Sequence, residues 1–151
     1  DIHEFNAKIL KCTREKAKKK FFAWFYNPNK KNVELSEVYK RDKVLERHYS
    51  DGVVQTPFGR NIEADDFHSF NYLLQSTSSD NCLQQAIKIN KFLHGRKSFV
   101  HSVVHDSITI DFHKHDRDLI NQIRQIFEDT RLGHFKSSMH IGKNYRDMEA
   151  V

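Results

Sequence analysis

The chain has 151 residues, of which 30% are charged, and its formal net charge is +5. Twelve Phe, five Tyr and one Trp provide enough aromatic surface for a packed core, which excludes a disordered polymer. The excess of Lys and Arg favours a polyanionic partner. No apolar run approaches the ~20 residues that span a bilayer and no signal peptide is recognisable, so we expect no membrane partner.

Cysteine usage indicates a reducing compartment. Cys12 and Cys82 are isolated and far apart in the sequence, which gives neither a disulfide framework nor a paired-cysteine zinc site. We therefore expect a cytoplasmic location.

The first third of the chain has helical periodicity. Residues 1–11 predict a short helix, and Thr13 is a suitable N-cap for a second helix that we expect to end at Pro28. Residues 35–49 predict a third amphipathic helix. The positions that predict a core face on the second helix are Ala17, Phe21, Trp24 and Phe25.

Turn and strand signals dominate the middle of the chain. Asp51-Gly52 predicts a turn, and residues 53–56 and 59–62 predict a small hairpin. Residues 77–80 have the character of a capping box, so we expect a long helix to begin there and to end near Leu93. The residues that we expect on one side of this helix are Leu83, Ala86, Ile87, Asn90 and Leu93.

The strongest strand signals come later. Residues 98–104 and 107–112 are rich in Val, Ile and Phe, and only His105-Asp106 separates them, which predicts a tight β-hairpin. Residues 116–130 predict a helix and residues 135–141 a final strand. Helices followed by a strand–helix–strand ending indicate the α+β class.

One stripe of side chains on the second helix suggests a ligand. Arg14, Lys18, Phe22 and Tyr26 recur every four residues, so they form a slanting stripe roughly 18 Å long on one side of the helix. One end is cationic and the other aromatic, which matches the polarity of a nucleoside triphosphate. The alternative is a solvated Lys/Arg face beside ordinary core aromatics.

The predicted hairpin places a carboxylate at its tip. Asp106 lies between two strongly apolar strands, in a turn without Gly or Asn. A carboxylate on such a rigid support is suited to a divalent cation, although one carboxylate alone does not make a magnesium site. The alternative is an ordinary turn-forming Asp.

Two further polar patterns leave alternatives open. The amides of Asn71 and Gln75 could read base edges, or they could cap and solvate the start of the long helix. Histidines at strand spacing could contribute to a zinc-dependent hydrolase, although further ligands are not evident. These histidines are His101, His105, His113 and His115.

Taken in order, the motifs resemble the C-terminal half of the polymerase domain of the family A DNA polymerases. Arg14-x3-Lys18-x3-Phe22-x3-Tyr26 resembles motif B, the nucleotide-binding O helix, and residues 103–106 resemble motif C. The sequence Leu73-Leu74-Gln75-Ser76 and the short connecting segments suggest a phage-type member. Further similar segments are Asp1-Ile2-His3, Gly59-Arg60, Asn71 to Ser76, and Ile141 to Tyr145.

The resemblance implies a binding site for the incoming nucleotide. His3, Arg14 and Lys18 would hold the triphosphate, and Lys18 would also donate a proton to the leaving pyrophosphate. Phe22 would lie against the sugar and base, and Tyr26 beside the template base at the insertion site.

The resemblance also implies contacts to DNA and to magnesium. Asp106 would be one of two catalytic carboxylates that hold two Mg²⁺ ions. Ser107 stands where the family has Glu, so its metal contact would be weaker. Phe67 stands where the family commonly has Arg. The residues implied to contact the primer–template duplex are Arg60, Asn71, Gln75 and His105.

By resemblance, residues 1–51 are part of a helical fingers subdomain, with the O helix at about 13–27. Residues 52–151 are then part of an antiparallel-sheet palm, with the motif C hairpin at 98–112. Motif A, which carries the second metal-binding Asp, has no match in the sequence. We therefore expect a fragment or one piece of a split polymerase.

The expected partners are primer–template DNA, dNTPs and the missing N-terminal polymerase part, either on the same chain or on a separate one. A phage-encoded member would act in the host cytoplasm. The alternative is a non-catalytic module that binds nucleic acid with the same basic and aromatic surfaces.

Overall fold

The computed structural model of the chain describes residues 1–27 and 29–151, which form two compact units. The first unit is Asp1–Thr77 and the second is Ser78–Val151. Both combine helices with small antiparallel sheets, which confirms the predicted α+β class. The predicted division into a fingers part and a palm part after residue 51 is a functional one and stays a prediction.

A run of short helices opens the first unit. The Asp1 carboxylate caps the first helix by accepting hydrogen bonds from the backbone N–H of His3 at 2.6 Å and of Glu4 at 3.3 Å. Thr13 is at the N-cap position of the second helix, as predicted, but its side chain makes no capping hydrogen bond with the described residues. The predicted stop at Pro28 lies outside the described residues. The bounds are α1 Ile2–Ile9, α2 Arg14–Tyr26, α3 Val33–Tyr39 and α4 Arg41–His48.

The prediction of one helix over residues 35–49 was wrong. Lys40 adopts a left-handed conformation with φ at +51°, and this ends α3 before α4 begins. Tyr49 already belongs to a strand. The sequence hides this break because Lys lacks the turn signal that Gly or Asn gives at such a position.

The core of the first unit is mostly aromatic. Phe21, Trp24 and Leu35 are buried together, and Ala17 is also buried. Phe25 is half-buried and packs against the same cluster. The predicted core face of α2 is therefore confirmed.

Polar contacts fix this core, and the sequence did not indicate them. Asn6 is fully buried while its neighbour Phe5 is exposed. The Tyr39 hydroxyl donates to Oδ1 of Asn6 at 2.7 Å, which ties α3 to α1. The Trp24 indole N–H donates to Oγ of Ser36 at 3.2 Å, which ties α2 to α3. These bonds make α1, α2 and α3 one packed group.

A small antiparallel sheet follows the helices. Asp51 and Gly52 both have positive φ, at 52° and 76°, as the two central residues of a type I′ hairpin turn require. The predicted hairpin is also present, and Thr56 closes its loop by accepting from the backbone N–H of Arg60 at 3.2 Å. The strands are β1 Tyr49–Ser50, β2 Val53–Gln55 and β3 Asn61–Glu63.

The long helix begins eight residues before the predicted start at Thr77. Helix α5 spans Ser69–Phe92. Its start is fixed by Asp65, whose carboxylate accepts from the backbone N–H of His68 at 2.8 Å. The hydroxyl and acid pattern at residues 77–80 lies inside the helix, so the predicted capping box was wrong.

The buried side of α5 only partly coincides with the side expected from the sequence, since Ala86 and Leu93 are buried. Leu83 and Ile87 are 46% and 50% exposed. The buried positions of this helix in the second unit are Cys82, Gln85, Ala86 and Ile89. Gln85 was missed because it is polar, yet its side-chain amide donates to the backbone carbonyl of Asp129 at 2.9 Å.

The predicted hairpin is the main sheet of the second unit. Strands β4 Phe99–Val104 and β5 Ser107–Asp111 are antiparallel, and Val104 pairs with Ser107 across the two-residue turn. A 3₁₀ segment, Lys114–Leu119, precedes α6 Ile120–Glu128. The core under the hairpin consists of Ile89, Leu93, Leu119 and Ile123.

The predicted final strand at residues 135–141 is mostly irregular. Backbone and hydroxyl groups of Ser137 donate to the Glu128 carboxylate at 2.9 and 2.8 Å, which holds this segment against α6 without strand pairing. The remaining short strands pair as two ribbons, β6 with β7 and β8 with β9. Their bounds are β6 Asp129–Thr130, β7 Gly133–His134, β8 His140–Ile141 and β9 Glu149–Ala150.

Across residues 1–27 and 29–151, no helix combines the length and apolar character that a membrane crossing requires.

Candidate nucleotide and nucleic-acid site

The predicted stripe lies on an exposed side of α2. Phe22 and Tyr26 are 36% and 46% exposed, although large aromatic residues are usually more buried. Their rings stack with centroids 5.8 Å apart and an interplanar angle of 14°. Lys18 and Arg14 are also exposed, one and two turns nearer the start of the helix than Phe22. The stripe is therefore a surface feature that adjoins the core face of α2, since Phe22 and Tyr26 also contact the rings of Phe21 and Phe25.

The cationic end of the stripe contains one paired and one unpaired side chain. The Arg14 guanidinium donates to Oδ2 of Asp1 through Nη2 at 2.7 Å and through Nε at 3.2 Å, and Nη1 contacts Glu15 at 3.1 Å. Lys18 makes no ion pair or hydrogen bond with any residue that the structure describes. An anion that approaches the stripe would meet Lys18 directly and would compete with Asp1 for Arg14.

His3 of α1 lies beside the aromatic end of the stripe. Its ring meets Phe22 edge-on, with centroids 5.5 Å apart. Its Nδ1 is buried and has no hydrogen-bond partner among the described residues. The structure thus brings His3 to the stripe, next to Phe22.

Arg41 was missed in the sequence and fixes the end of α2. Its side chain is buried, with the guanidinium carbon 4.9 Å from the centre of the Trp24 ring. Nη1 donates to the backbone carbonyls of Trp24 at 2.7 Å and of Asn27 at 3.4 Å. No spacing rule connects an arginine in α4 to the last turn of α2, so only the tertiary structure shows this contact.

A small cleft of about 10 Å³ brings two predicted site residues together. Tyr26 and Asn71 both line it, as does Arg41. Phe67 adds a ring rather than a charge to the same cleft. The volume is about that of one water molecule, so the cleft is a junction between side chains rather than a ligand pocket.

The predicted duplex contacts in the first unit converge on α5. Asn71 and Gln75 lie one turn apart, and the Gln75 amide donates to Oδ1 of Asn71 at 3.0 Å. Arg60 donates to the backbone carbonyl of Ser76 at 3.1 Å, beside Gln75. The two amides bond to each other in the first turns of α5, so the alternative in which they solvate the start of this helix stays open.

The hairpin of the second unit presents His105 and Asp106 at an exposed tip. His105 has φ at +54°, which closes the turn. The hydroxyl of Ser107 donates to the Val104 carbonyl at 2.8 Å. Burial raises the pKa of the Cys82 thiol, and the negative charge of Asp106 is the second, smaller cause of this rise. The tip is therefore well defined, and Asp106 is exposed there.

A buried carboxylate fixes the root of the same hairpin. Asp116 accepts from the backbone N–H groups of Lys97 at 3.1 Å and of Ser98 at 2.8 Å, and from the Ser98 hydroxyl at 2.8 Å. The hydrogen bonds from Ser98 are the main cause that lowers the pKa of Asp116. The Ser98 hydroxyl also accepts from the backbone N–H of His113 at 2.9 Å, which joins both strands at their base.

The part of the chain that the structure describes contains no group of three or more His, Cys, Asp and Glu side chains able to hold a metal ion. Asp106 and Ser107 alone offer one carboxylate and one hydroxyl, so they do not complete a magnesium site. For zinc, His113 and His115 lie 4.8 Å apart edge-on, and His113 Nδ1 accepts from the backbone N–H of His115 at 3.2 Å. The hydrolase alternative therefore lacks a ligand set among these residues.

The predicted site residues are divided between the two units. The stripe, His3 and the Arg60, Asn71 and Gln75 cluster belong to the first unit. His105, Asp106 and Ser107 belong to the second.

A comparison with the models of known protein families gives no match for this chain, and a comparison with curated proteins gives no significant match. The similarity to the family A polymerases therefore depends on the sequence motifs.

Proposed function

We propose that the chain is part of a template-directed DNA polymerase of the family A, phage type. Its substrates are dNTPs and primer–template DNA, and the reaction is nucleotidyl transfer to a primer 3′-OH. The observation that supports this function best is the exposed stripe of α2, on which an unpaired Lys18 and the stacked rings of Phe22 and Tyr26 occupy one surface.

The stripe suits a nucleoside triphosphate for two physical reasons. Lys18 and Arg14 supply positive charge for the phosphates, and Lys18 has a proton to donate to the leaving pyrophosphate. The exposed Phe22 and Tyr26 rings supply a stacking surface for the sugar and the bases. His3, whose ring meets Phe22 edge-on, is the third proposed contact to the triphosphate.

The cluster on α5 suits duplex DNA. Asn71 and Gln75 present paired amides, which are able to exchange hydrogen bonds with base edges. Arg60 brings a cation to the same turn of the helix. In the second unit, His105 at the hairpin tip is a further proposed duplex contact.

In this proposal the hairpin supplies one of the metal-binding carboxylates. Asp106 is the ligand, with Ser107 as a weak neighbour, and two magnesium ions would provide the charge stabilisation that phosphoryl transfer needs. A second carboxylate from a motif A segment is required, on the same polypeptide or on another. The contribution of this chain is to hold Asp106 on a hairpin that is fixed at its root.

Primer extension tests the proposal. The chain would be assayed alone and mixed with a polypeptide that carries a family A motif A segment. We expect template-dependent incorporation from the mixture only. If the mixture binds duplex DNA but incorporates no nucleotide, the polymerase function is wrong.

A second candidate is a non-catalytic nucleic-acid-binding module. It is favoured by one observation, namely that the described residues hold no group able to bind a metal ion. In that case dNTPs would not bind to the stripe, and duplex binding would be independent of Mg²⁺. For either function we propose the cytoplasm as the location, because Cys12 and Cys82 are free thiols.

A further inference from the structure

The last turn of α2 has backbone carbonyls that the helix itself leaves without partners. The final four carbonyls of any α-helix lack an intrahelical donor, and the negative end of the helix dipole lies there. Helix α2 ends at Tyr26 and has no basic residue in its last turn. A cationic side chain from elsewhere in the fold would therefore stabilise this end of α2.

Arg41 supplies this cation from α4. Its Nη1 donates to the Trp24 carbonyl at 2.7 Å and to the Asn27 carbonyl at 3.4 Å, so it spans the residues on both sides of Tyr26. The guanidinium also lies over the Trp24 ring, 4.9 Å from its centre. The left-handed Lys40 directly before it starts α4 in a new direction.

We infer that Arg41 is a positioning residue for Tyr26. The backbone on either side of Tyr26 is held by Arg41, and the side chains of both residues line the cleft that Asn71 also enters. Arg41 thereby sets where the Tyr26 ring stands relative to Phe22 and Asn71. This inference rests on the proposed function, in which Tyr26 lies beside the template base.

The expected consequence is selectivity in nucleotide insertion. A Tyr26 ring that is held in one place discriminates between correctly and incorrectly paired bases by shape, whereas a mobile ring does not. Loss of Arg41 should therefore reduce the ratio of correct to incorrect incorporation more than it reduces the rate with the correct nucleotide.

The test uses the chain itself, labelled with 3-fluorotyrosine, with the Tyr26 signal assigned from Tyr26→Phe. In Arg41→Gln we expect the Tyr26 fluorine signal to shift and the amides of the last turn of α2 to exchange roughly tenfold faster. Arg41→Lys keeps the charge but not the fork of donors, so it should restore the signal in part. If Arg41→Gln does not fold, the test uses Arg41→Lys, in which we expect a smaller shift of the Tyr26 fluorine signal.

Two control variants separate positioning from general loosening. Arg47→Gln removes an exposed arginine from the same helix and should leave both readouts unchanged. Ser36→Ala removes the hydrogen bond to the Trp24 indole, so it should lower stability without moving the Tyr26 signal. An unchanged Tyr26 signal in Arg41→Gln, or an equal shift in Ser36→Ala, would overturn the inference.

These readouts need no polymerase activity, so the two ideas fail separately. A shifted Tyr26 signal in a chain that binds no dNTP would support the role of Arg41 and would count against the proposed function. An unshifted Tyr26 signal in Arg41→Gln, together with incorporation by the unmodified chain mixed with its motif A partner, would support the proposed function and count against the role of Arg41.

Discussion

The first unit presents its proposed ligand-binding residues on the side of a helix, and the second presents them at the tip of a hairpin. On α2, side-chain partners decide which groups are available, because Asp1 engages Arg14 while Lys18 is unpaired. On the hairpin, backbone geometry decides, because the turn at His105 leaves Asp106 exposed at the tip and Asp116 fixes the root. Helix sites are therefore sensitive to neighbouring side chains, and hairpin sites are sensitive to their anchor.

The largest expected effect is at the hairpin tip. Asp106→Ala should abolish incorporation by the chain mixed with its motif A partner, because the proposed metal site then loses the carboxylate that this chain supplies. Duplex binding, measured by fluorescence anisotropy, should change little. Asp118→Ala, which removes an exposed carboxylate from the same unit, is the control. Incorporation by Asp106→Ala near the unmodified level would refute the role of Asp106.

The next largest effect is on the helix stripe. Lys18→Ala should lower the single-turnover incorporation rate roughly a hundredfold, since it removes both a positive charge and a proton donor. Lys20→Ala is the matched control, because Lys20 is an exposed lysine on the other side of α2. Equal rates for the two variants would mean that the position of Lys18 is unimportant.

The anchor of the hairpin should matter for stability rather than for chemistry. Asp116→Ala should lower the Tm of the second unit, because it leaves the backbone N–H groups of Lys97 and Ser98 without their acceptor. Asp118→Ala again serves as the control. A Tm unchanged in Asp116→Ala would show that the root needs no carboxylate.

These contrasts also show what the sequence could predict. The stripe and the hairpin were predicted because both follow from short-range periodicity. The break at Lys40 was missed because a left-handed lysine has no sequence signal. Arg41, Asn6 and Asp116 were missed because each is a polar residue that is buried by a partner distant in sequence. Sequence patterns thus indicated the positions that we propose for ligand binding, and tertiary contacts showed what holds those positions.

The smallest expected effect is a pH dependence at the C-terminal segment. Hydrogen bonds from Ser137 and Arg124 lower the pKa of Glu128 from 4.5 to about 2. A carboxyl with a lowered pKa stabilises the fold above its ordinary value, and this contribution is lost as pH falls from about 4.5 towards 2. Glu128→Gln should therefore remove part of the acid sensitivity that circular dichroism records.

Glu149→Gln, which alters an exposed carboxyl in the same unit, should leave the acid transition where it was. An acid transition that is identical in Glu128→Gln and in the unmodified chain would contradict the assigned contacts of Ser137.

The most direct test of the central claim is calorimetric titration of the isolated chain with a dNTP. The proposed function predicts saturable binding that is weakened by Lys18→Ala and by Phe22→Ala and unaffected by Lys20→Ala. Equal binding by all of these variants, or no binding by the unmodified chain, would contradict the claim that the α2 stripe is a nucleotide site.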